Sequence, residues 1–401
     1  MKLKTNITVP GTEKGKTEME YYLDNSATTK CFEEVIDAVE SEMREFYGNP
    51  SSMHTKGFDA EKKIRETTKL IASTLKCNES EIIYTSGGTE SDNMALIGVA
   101  RAYRRSGNHI IVSAIEHAAI LQTAEFLKEE GFEVSFLSTD ENGTVNLEEL
   151  ESLVRKDTIL VSIMAVNNEI GTVQPIEEIS KIIKRKNPNV IFHVDAVQGY
   201  GKVKILPGKM GIDLLSVSGH KIHGPKGVGF LYVSYKVKIK PIIFGGGQQK
   251  ALRSGTENVC GIMGLGAAIK RIFDGFEEDT KRMSELRDYL IERAKEIDDV
   301  KINGNPDARA PHIVSISIKG VRAEVLLHAL EEKGIFISSG SACASNKPAV
   351  SATLKAIGLP KELLDSTVRF SLSVLTTKEE VEFAADNLIA SVETLRKYVR
   401  R

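Results

Sequence analysis

The chain has 401 residues, 41% hydrophobic and 27% charged, a composition that supports a large core and about two or three domains. Its 53 basic and 55 acidic side chains leave a net charge of −2, which excludes a global attraction to nucleic acid or to an anionic membrane. No run approaches the about 18 apolar residues of a membrane-crossing helix, and "MKLKTNITVPGTEKGKTEME" lacks the apolar centre of a secretory signal, so the chain reads as cytoplasmic.

Taken in chain order, residues 1–20 are polar, carry Pro10, Gly11 and Gly15, and read as a flexible leader. From "YYLDNSATT" onward, short apolar runs alternate with amphipathic stretches. Strands are predicted at 81–85, 109–113, 134–138, 159–166, 190–194, 214–218 and 229–234, with helices among them at 90–105 and 176–186. That alternation predicts an α/β fold: a large domain over 21–261, built on a mostly parallel seven-stranded sheet between helices. Such a sheet carries its site at the carboxyl ends of its strands. Beyond residue 261 a charged helical stretch (262–297) leads to "HIVSISIKG", a helix at 322–333, "IFISSG", "VRFSLS" and a last helix at 377–399. Residues 262–401 therefore read as a smaller α/β domain packed on the large one.

Several motifs stand at predicted strand ends. In "YTSGGTESDN" (84–93) an apolar strand passes through two glycines, Gly87 and Gly88, to Thr89 and a helix. There the backbone can approach a ligand closely, and the first N–H groups of the helix favour an anion. The pattern is neither G-x-G-x-x-G nor G-x-x-x-x-G-K-[ST], which disfavours a dinucleotide or a P-loop nucleotide. Alone it fits a glycine turn with a threonine cap equally well. In "IFHVDAVQGYG" (191–201) Asp195 ends an apolar strand and Gln198 follows. A carboxylate there needs a cation or donors, although capping of the next turn also accounts for it.

In "SVSGHKIHGPKG" (216–227) Ser218, His220 and Lys221 follow another apolar run. Surroundings can deprotonate such a lysine into a Schiff-base nucleophile, whereas a lysine taken singly is usually a solvated one. His117 of "AIEHAAI" stands just past a further strand, placed to stack on a ring or, equally, to face core or solvent. Together, a phosphate cup, an acid for a pyridinium nitrogen and a strand-end lysine are the protein parts that pyridoxal 5'-phosphate requires. The set is far more specific than any one member.

The four cysteines, Cys31, Cys77, Cys260 and Cys343, are dispersed and form no C-x-x-C, which speaks against a metal site or a redox dithiol. Cys77 and Cys260 fit buried or incidental thiols. Cys343 differs: the small polar residues of "SSGSACASNKP" (338–348) give it the setting of an exposed, reactive thiol.

From about residue 21 to 395 the sequence resembles the cysteine desulfurases of the NifS/IscS type, within the aminotransferase class V group of fold-type I pyridoxal-phosphate enzymes. The resemblance runs in order through "YLDNSATT", "GNPSSMH", "TSGGTESDN", "EHAAI", "VNNEIG", "HVDAVQ", "SGHKIHGPKG", "RSGTEN", "SSGSAC" and "VRFSLS". It implies that Lys221 binds the cofactor covalently, Asp195 pairs with the ring nitrogen, and Gln198 bonds the phenolic oxygen. His117 would stack on the ring and move protons. Gly88, Thr89, Ser218 and His220 would form the phosphate cup, with Thr256 of "RSGTEN" reaching it from a second subunit of a homodimer. Asn168 and Arg369 would hold the carboxylate of L-cysteine. The thiolate of Cys343 would attack the substrate sulfur, leave alanine, and pass its persulfide to an acceptor protein such as an iron–sulfur scaffold.

Two departures from the family's pattern stand out. Lys30-Cys31 replaces a turn that more often contains proline, which leaves Cys31 as either a packing residue or a second reactive thiol. The stretch "ASNKPAVSATL" after Cys343 differs from the usual loop and bears on acceptor choice. A selenocysteine lyase or a class V aminotransferase would share the cofactor parts, the latter without need of Cys343. A non-enzymatic sulfur carrier would have no use for Lys221, Asp195, His117 and Arg369 together.

Overall fold

Apolar runs rich in Ile, Val and Leu form the central layer of the computed structural model, which describes residues 20–339 and 351–398. The leader over 1–19 and Cys343 lie outside the described residues. In chain order the strands are β1 (Tyr21–Tyr22), β2 (Ile82–Thr85), β3 (His109–Ser113), β4 (Glu133–Leu137), β5 (Thr158–Ser162), β6 (Ile191–Asp195), β7 (Leu214–Ser218) and β8 (Gly229–Val233). They continue as β9 (Val300–Asn303), β10 (Ile313–Ile318), β11 (Ile335–Phe336), β12 (Ser338–Ser339) and β13 (Thr367–Ser371).

The large sheet has seven strands in the order β2-β8-β7-β6-β5-β3-β4. Neighbours are parallel from β7 through β4, and β8 runs antiparallel to both β7 and β2. Strands β3, β5, β6 and β7 are buried along their whole length, as expected where helices cover both faces. Side chains alternate between the layers: Ile110 and Val112 join the core under the helices Gly88–Tyr103 and Ala118–Glu129, while Ile111 joins the core on the opposite face. The chain leaves β3 outward to β4 and then returns to β5 on the other side, so the strand order reverses between β3 and β5. Open α/β sheets bind ligands at such a reversal, outside the carboxyl ends of the strands.

A four-stranded antiparallel sheet, β12-β13-β10-β9, forms the second core with the helices Phe276–Ala294, Ala323–Glu331 and Lys378–Arg396. Leu23 is fully buried in that core, and β1 pairs in parallel with β11, so the first described residues of the chain belong to its C-terminal part. Along the helix Phe276–Ala294, Met283 still packs into the first core and Leu286 into the second, while Ala310, Ile313 and Val374 return to the first. The helix Val259–Asp274 sends Ile262, Leu265, Ala268 and Ile269 into the first core. Gly264 brings that helix against Val39 and Pro225 so closely that a Cβ would stand 2.7 and 2.6 Å from their side chains.

Local predictions differ in two places. The run 159–166 is strand only to Ser162, although Ile163 N and Ala165 N still donate to the carbonyls of His193 and Asp195 on β6 at 3.1 and 2.8 Å. The helical stretch 262–297 is two helices that meet at Gly275. Among the described residues, no helix is long and apolar enough to cross a membrane.

Candidate active site

At the carboxyl edge of the large sheet, loops from five strands converge on a cavity of about 280 Å³. Its lining contains Gly88 and Thr89 from beyond β2, His117 from beyond β3 and Asn168 from beyond β5. It also contains Asp195 and Gln198 from the end of β6, Ser218, His220 and Lys221 from the end of β7, and Arg369 from β13. All of the residues predicted for the site are therefore together except two. Cys343 lies outside the described residues, and Thr256 is exposed and does not line this cavity.

Lys221 occupies a tight turn that the residues after β1 pin in place. Thr29 N and Thr29 Oγ1 each donate to the carbonyl of His220 at 2.9 Å, and His223 N donates to Thr29 Oγ1 at 2.7 Å. His223 adopts the left-handed conformation at φ 63°, a costly one for a non-glycine residue. Its ring is fixed in return by a stack on Phe32 at 4.3 Å and a bond from Nδ1 to the carbonyl of Lys30 at 2.7 Å. The Lys221 ammonium donates to the carbonyls of Ser26 and Ala27 at 2.6 and 2.8 Å. Behind it, the buried Lys202 donates to the carbonyl of Lys221 itself at 2.8 Å.

Asp195 is buried, and its Oδ1 accepts from Val197 N at 2.8 Å. Burial raises its carboxyl above the usual range; the Val197 N–H and the charges of His117 and Lys221 act the other way. Asp92 and Glu116, two further buried acids, stand close enough for Asp195 to raise both, and Glu116 reaches about 8, mainly through burial. His117 Nδ1 accepts from Ala119 N at 3.1 Å at the start of the helix Ala118–Glu129, so that nitrogen carries no proton. Burial holds this imidazole below its ordinary range, with Asp195 opposing and Lys221 adding to the shift.

The fit to pyridoxal phosphate rests on the lining of this cavity. At one end the helix Gly88–Tyr103 begins, and its first-turn N–H groups at Gly88 and Thr89 have no acceptor within the helix. Gly87 has φ 146°, and a Cβ at Gly88 would stand 2.6 Å from Val197, so both glycines keep the backbone open there. Ser218 and His220 complete this cup, which opens into a second hollow lined also by Ser86 and Lys226. The same cavity is lined by the buried acid Asp195 and by the amine of Lys221. The residues fit the group.

Comparison with known proteins decides the family. The aminotransferase class-V family model matches residues 21–383. Cysteine desulfurase IscS of Dictyoglomus turgidum is 45% identical over 94% of this chain and 95% of its own length. This chain belongs to the aminotransferase class-V family, among its cysteine desulfurases. The structure of a NifS-like protein superposes on this desulfurase with a TM-score of 0.89 at 38% identity, covering 94% of this chain and 100% of that one. That of SspA in complex with cysteine gives 0.79 at 33% identity, over 89% of this chain and 100% of the other. Desulfurases of this family depend on pyridoxal phosphate, in agreement with the cavity.

Sequence reasoning missed some contributors. The carbonyls of Ser26 and Ala27 that hold Lys221, and Asp24 that pairs with Arg369, lie in "YLDNSATT", a polar run directly after apolar residues that carried the signal. Asp92, one turn into the helix of "TSGGTESDN", gave no signal beyond being a carboxylate on an otherwise apolar face. Cys31 packs against the large core and donates from Sγ to the carbonyl of Gly224 at 3.4 Å, a packing role.

Proposed function

We propose that the cavity is where L-cysteine gives up its sulfur, with Lys221, Asp195, His117, Arg369 and Cys343 as the working side chains. The observation that carries this reading is their convergence: the first four, drawn from distant parts of the chain, face one cavity of substrate size. SspA, which shares this fold and was solved in complex with cysteine, supports cysteine as the occupant. Gly88, Thr89, Ser218 and His220 would hold the phosphate, Asp195 the ring nitrogen, and Gln198 the phenolic oxygen. Bound there, pyridoxal phosphate supplies an electron sink for the bonds of the substrate's α-carbon.

Arg369 and Asn168 orient the substrate carboxylate. Arg369 lines the cavity with two guanidinium nitrogens held by Asn168 O and Asp24, which orient the fork. A carboxylate is the complement of such a fork. Lys221 takes the α-proton, and His117, kept neutral, exchanges a proton near the sulfur. The thiolate of Cys343 then attacks that sulfur: a S–S bond forms, the Cβ–S bond breaks, and its electron pair goes to the carbon, which protonation completes to alanine. The persulfide left on Cys343 passes to an acceptor, which we take to be an iron–sulfur scaffold or a similar carrier. Ser338, in the same Ser/Gly-rich stretch as Cys343, lines the cavity, which supports that reach.

A homodimer completes the reading. Met43, Tyr47, Met53 and Phe58 are exposed at 65, 73, 103 and 63%, an unusual apolar surface for a lone chain, and the exposed Thr256 would complete a partner's phosphate cup. Incubation with L-cysteine tests the whole: the protein should be yellow and release alanine and sulfide. Cys343→Ala should keep the colour and lose sulfide release. Full desulfuration by Cys343→Ala would rule out the persulfide route, and a monomer at working concentration would rule out the shared cup.

A further inference from the structure

His312, the first residue of "HIVSISIKG" and given no role above, stands just ahead of β10, and none of its surface is exposed. Its Nε2 lies 3.2 Å from Oε1 of Gln198. The amide of Gln198 has a fixed sense, because its other end faces a backbone carbonyl. Ser26 O can only accept, so the atom 2.9 Å from it is the NH₂ group. The oxygen of the amide therefore faces His312, and the His312 nitrogen that meets it must carry a hydrogen. The imidazole is neutral: burial, then the charges of Lys202, Arg369, Arg287 and Lys221, push it well below the ordinary histidine range. With its proton on Nε2, Nδ1 is a bare acceptor, and it has no partner among the described residues. Buried polar atoms are rarely left unsatisfied, and a leucine would fill such a space without that penalty.

We propose that His312 is a positioning residue for the desulfurase reaction: its Nε2–H locks the amide of Gln198 so that an N–H, and not the carbonyl, faces the phenolic oxygen of the cofactor. One N–H of Gln198 is spent on Ser26 O; the second is left for the cavity. Ser26 O also accepts from Lys221 Nζ at 2.6 Å, so one chain of bonds runs from His312 through Gln198 and Ser26 to the reactive lysine. The first two bonds run in one sense and polarise each other, and at Ser26 O two donors, Gln198 and Lys221, meet on one acceptor. Without His312 the amide keeps only its bond to Ser26 O, and its second N–H is no longer aimed by a hold on the oxygen side.

The inference rests on Gln198 as the ligand of the phenolic oxygen, and the test separates the two. His312→Gln and His312→Leu are compared in the holoenzyme, by the position of the visible band and by retention of pyridoxal phosphate on dialysis. Gln can donate to Oε1 of Gln198; Leu cannot. We expect His312→Gln to match the wild type. His312→Leu should shift the band as Gln198→Ala does and hold the cofactor about tenfold more weakly. Adding His312→Leu to Gln198→Ala should change neither reading further. Equal behaviour of the Gln and Leu variants overturns the lock, as does an additive double variant. A Gln198→Ala enzyme with wild-type band and retention would overturn the role of Gln198, and the lock with it. Should His312→Leu fail to fold, His312→Met replaces it: a wild-type band and retention there would equally overturn the proposal.

Discussion

Arg369 on β13 and Asp24, near the start of the described chain, form an ion pair of 2.7 Å with the arginine side chain only 7% exposed. Asn168 O takes a second guanidinium nitrogen at 2.9 Å, so the fork is oriented before any substrate arrives. Arg369→Lys keeps the charge but loses the planar fork. We expect KM for L-cysteine to rise about tenfold to a hundredfold, while the holoenzyme colour is unchanged. Asp24→Asn, which loosens the fork without touching substrate, should raise KM less. Steady-state kinetics of the two variants check this; a fall in kcat at constant KM would contradict it.

Lys221 is the one amine that the turn after β7 delivers into the cavity. Lys221→Ala should bind pyridoxal phosphate only reversibly, lose the absorbance of the covalently held cofactor, and make no alanine. Absorbance after gel filtration and an alanine assay decide it. Retention of a protein-linked chromophore would move the attachment to another residue.

Lys202 gives a pH signature. Burial, with Lys221 adding, lowers its ammonium to about 7 from 10.5. In the unfolded chain the amine stays protonated up to about 10.5, so between about 7 and 10.5 the unfolded state binds more protons than the native state. Stability from this group is therefore fully present above about 10.5 and is lost as pH falls through about 7. Lys202→Met removes the penalty. Its melting temperature relative to wild type should be most favourable near pH 6 and should decline steadily toward pH 10. A difference that does not vary with pH would show that Lys202 titrates normally.

Gly264 tests how closely the helix Val259–Asp274 approaches its neighbours. An alanine Cβ there would overlap Val39 and Pro225, the latter in the turn after Lys221. Gly264→Ala should cost about 1–3 kcal/mol in denaturant melts. The helix propensity gained by losing a glycine, about 1 kcal/mol, is not enough to reverse the sign.

Most of the cavity was legible in the sequence because each strand end is a local event: an apolar run stops, and the next polar residues face the site. Asp195, Ser218 and Lys221 were found that way. What lay beyond reach were partnerships across the chain. Nothing near Gln198 points to His312, 114 residues away, since a lone histidine before an apolar strand has no period or spacing to mark it. The strand predicted over 159–166 ends at Ser162 because Ile163 to Val166 run on beside β6 as buried loop, and apolarity alone cannot separate the two.

The short run from Leu23 to Ala27 makes the site hard to alter piecemeal. Leu23 is rooted in the second core, Asp24 holds Arg369, and the carbonyls of Ser26 and Ala27 hold Lys221 and Gln198, which belong to the first. Inserting or deleting a single residue here would shift the register of substrate fork, reactive amine and ring ligand in the same step. Variation that adjusts one of them alone has to come from elsewhere in the chain.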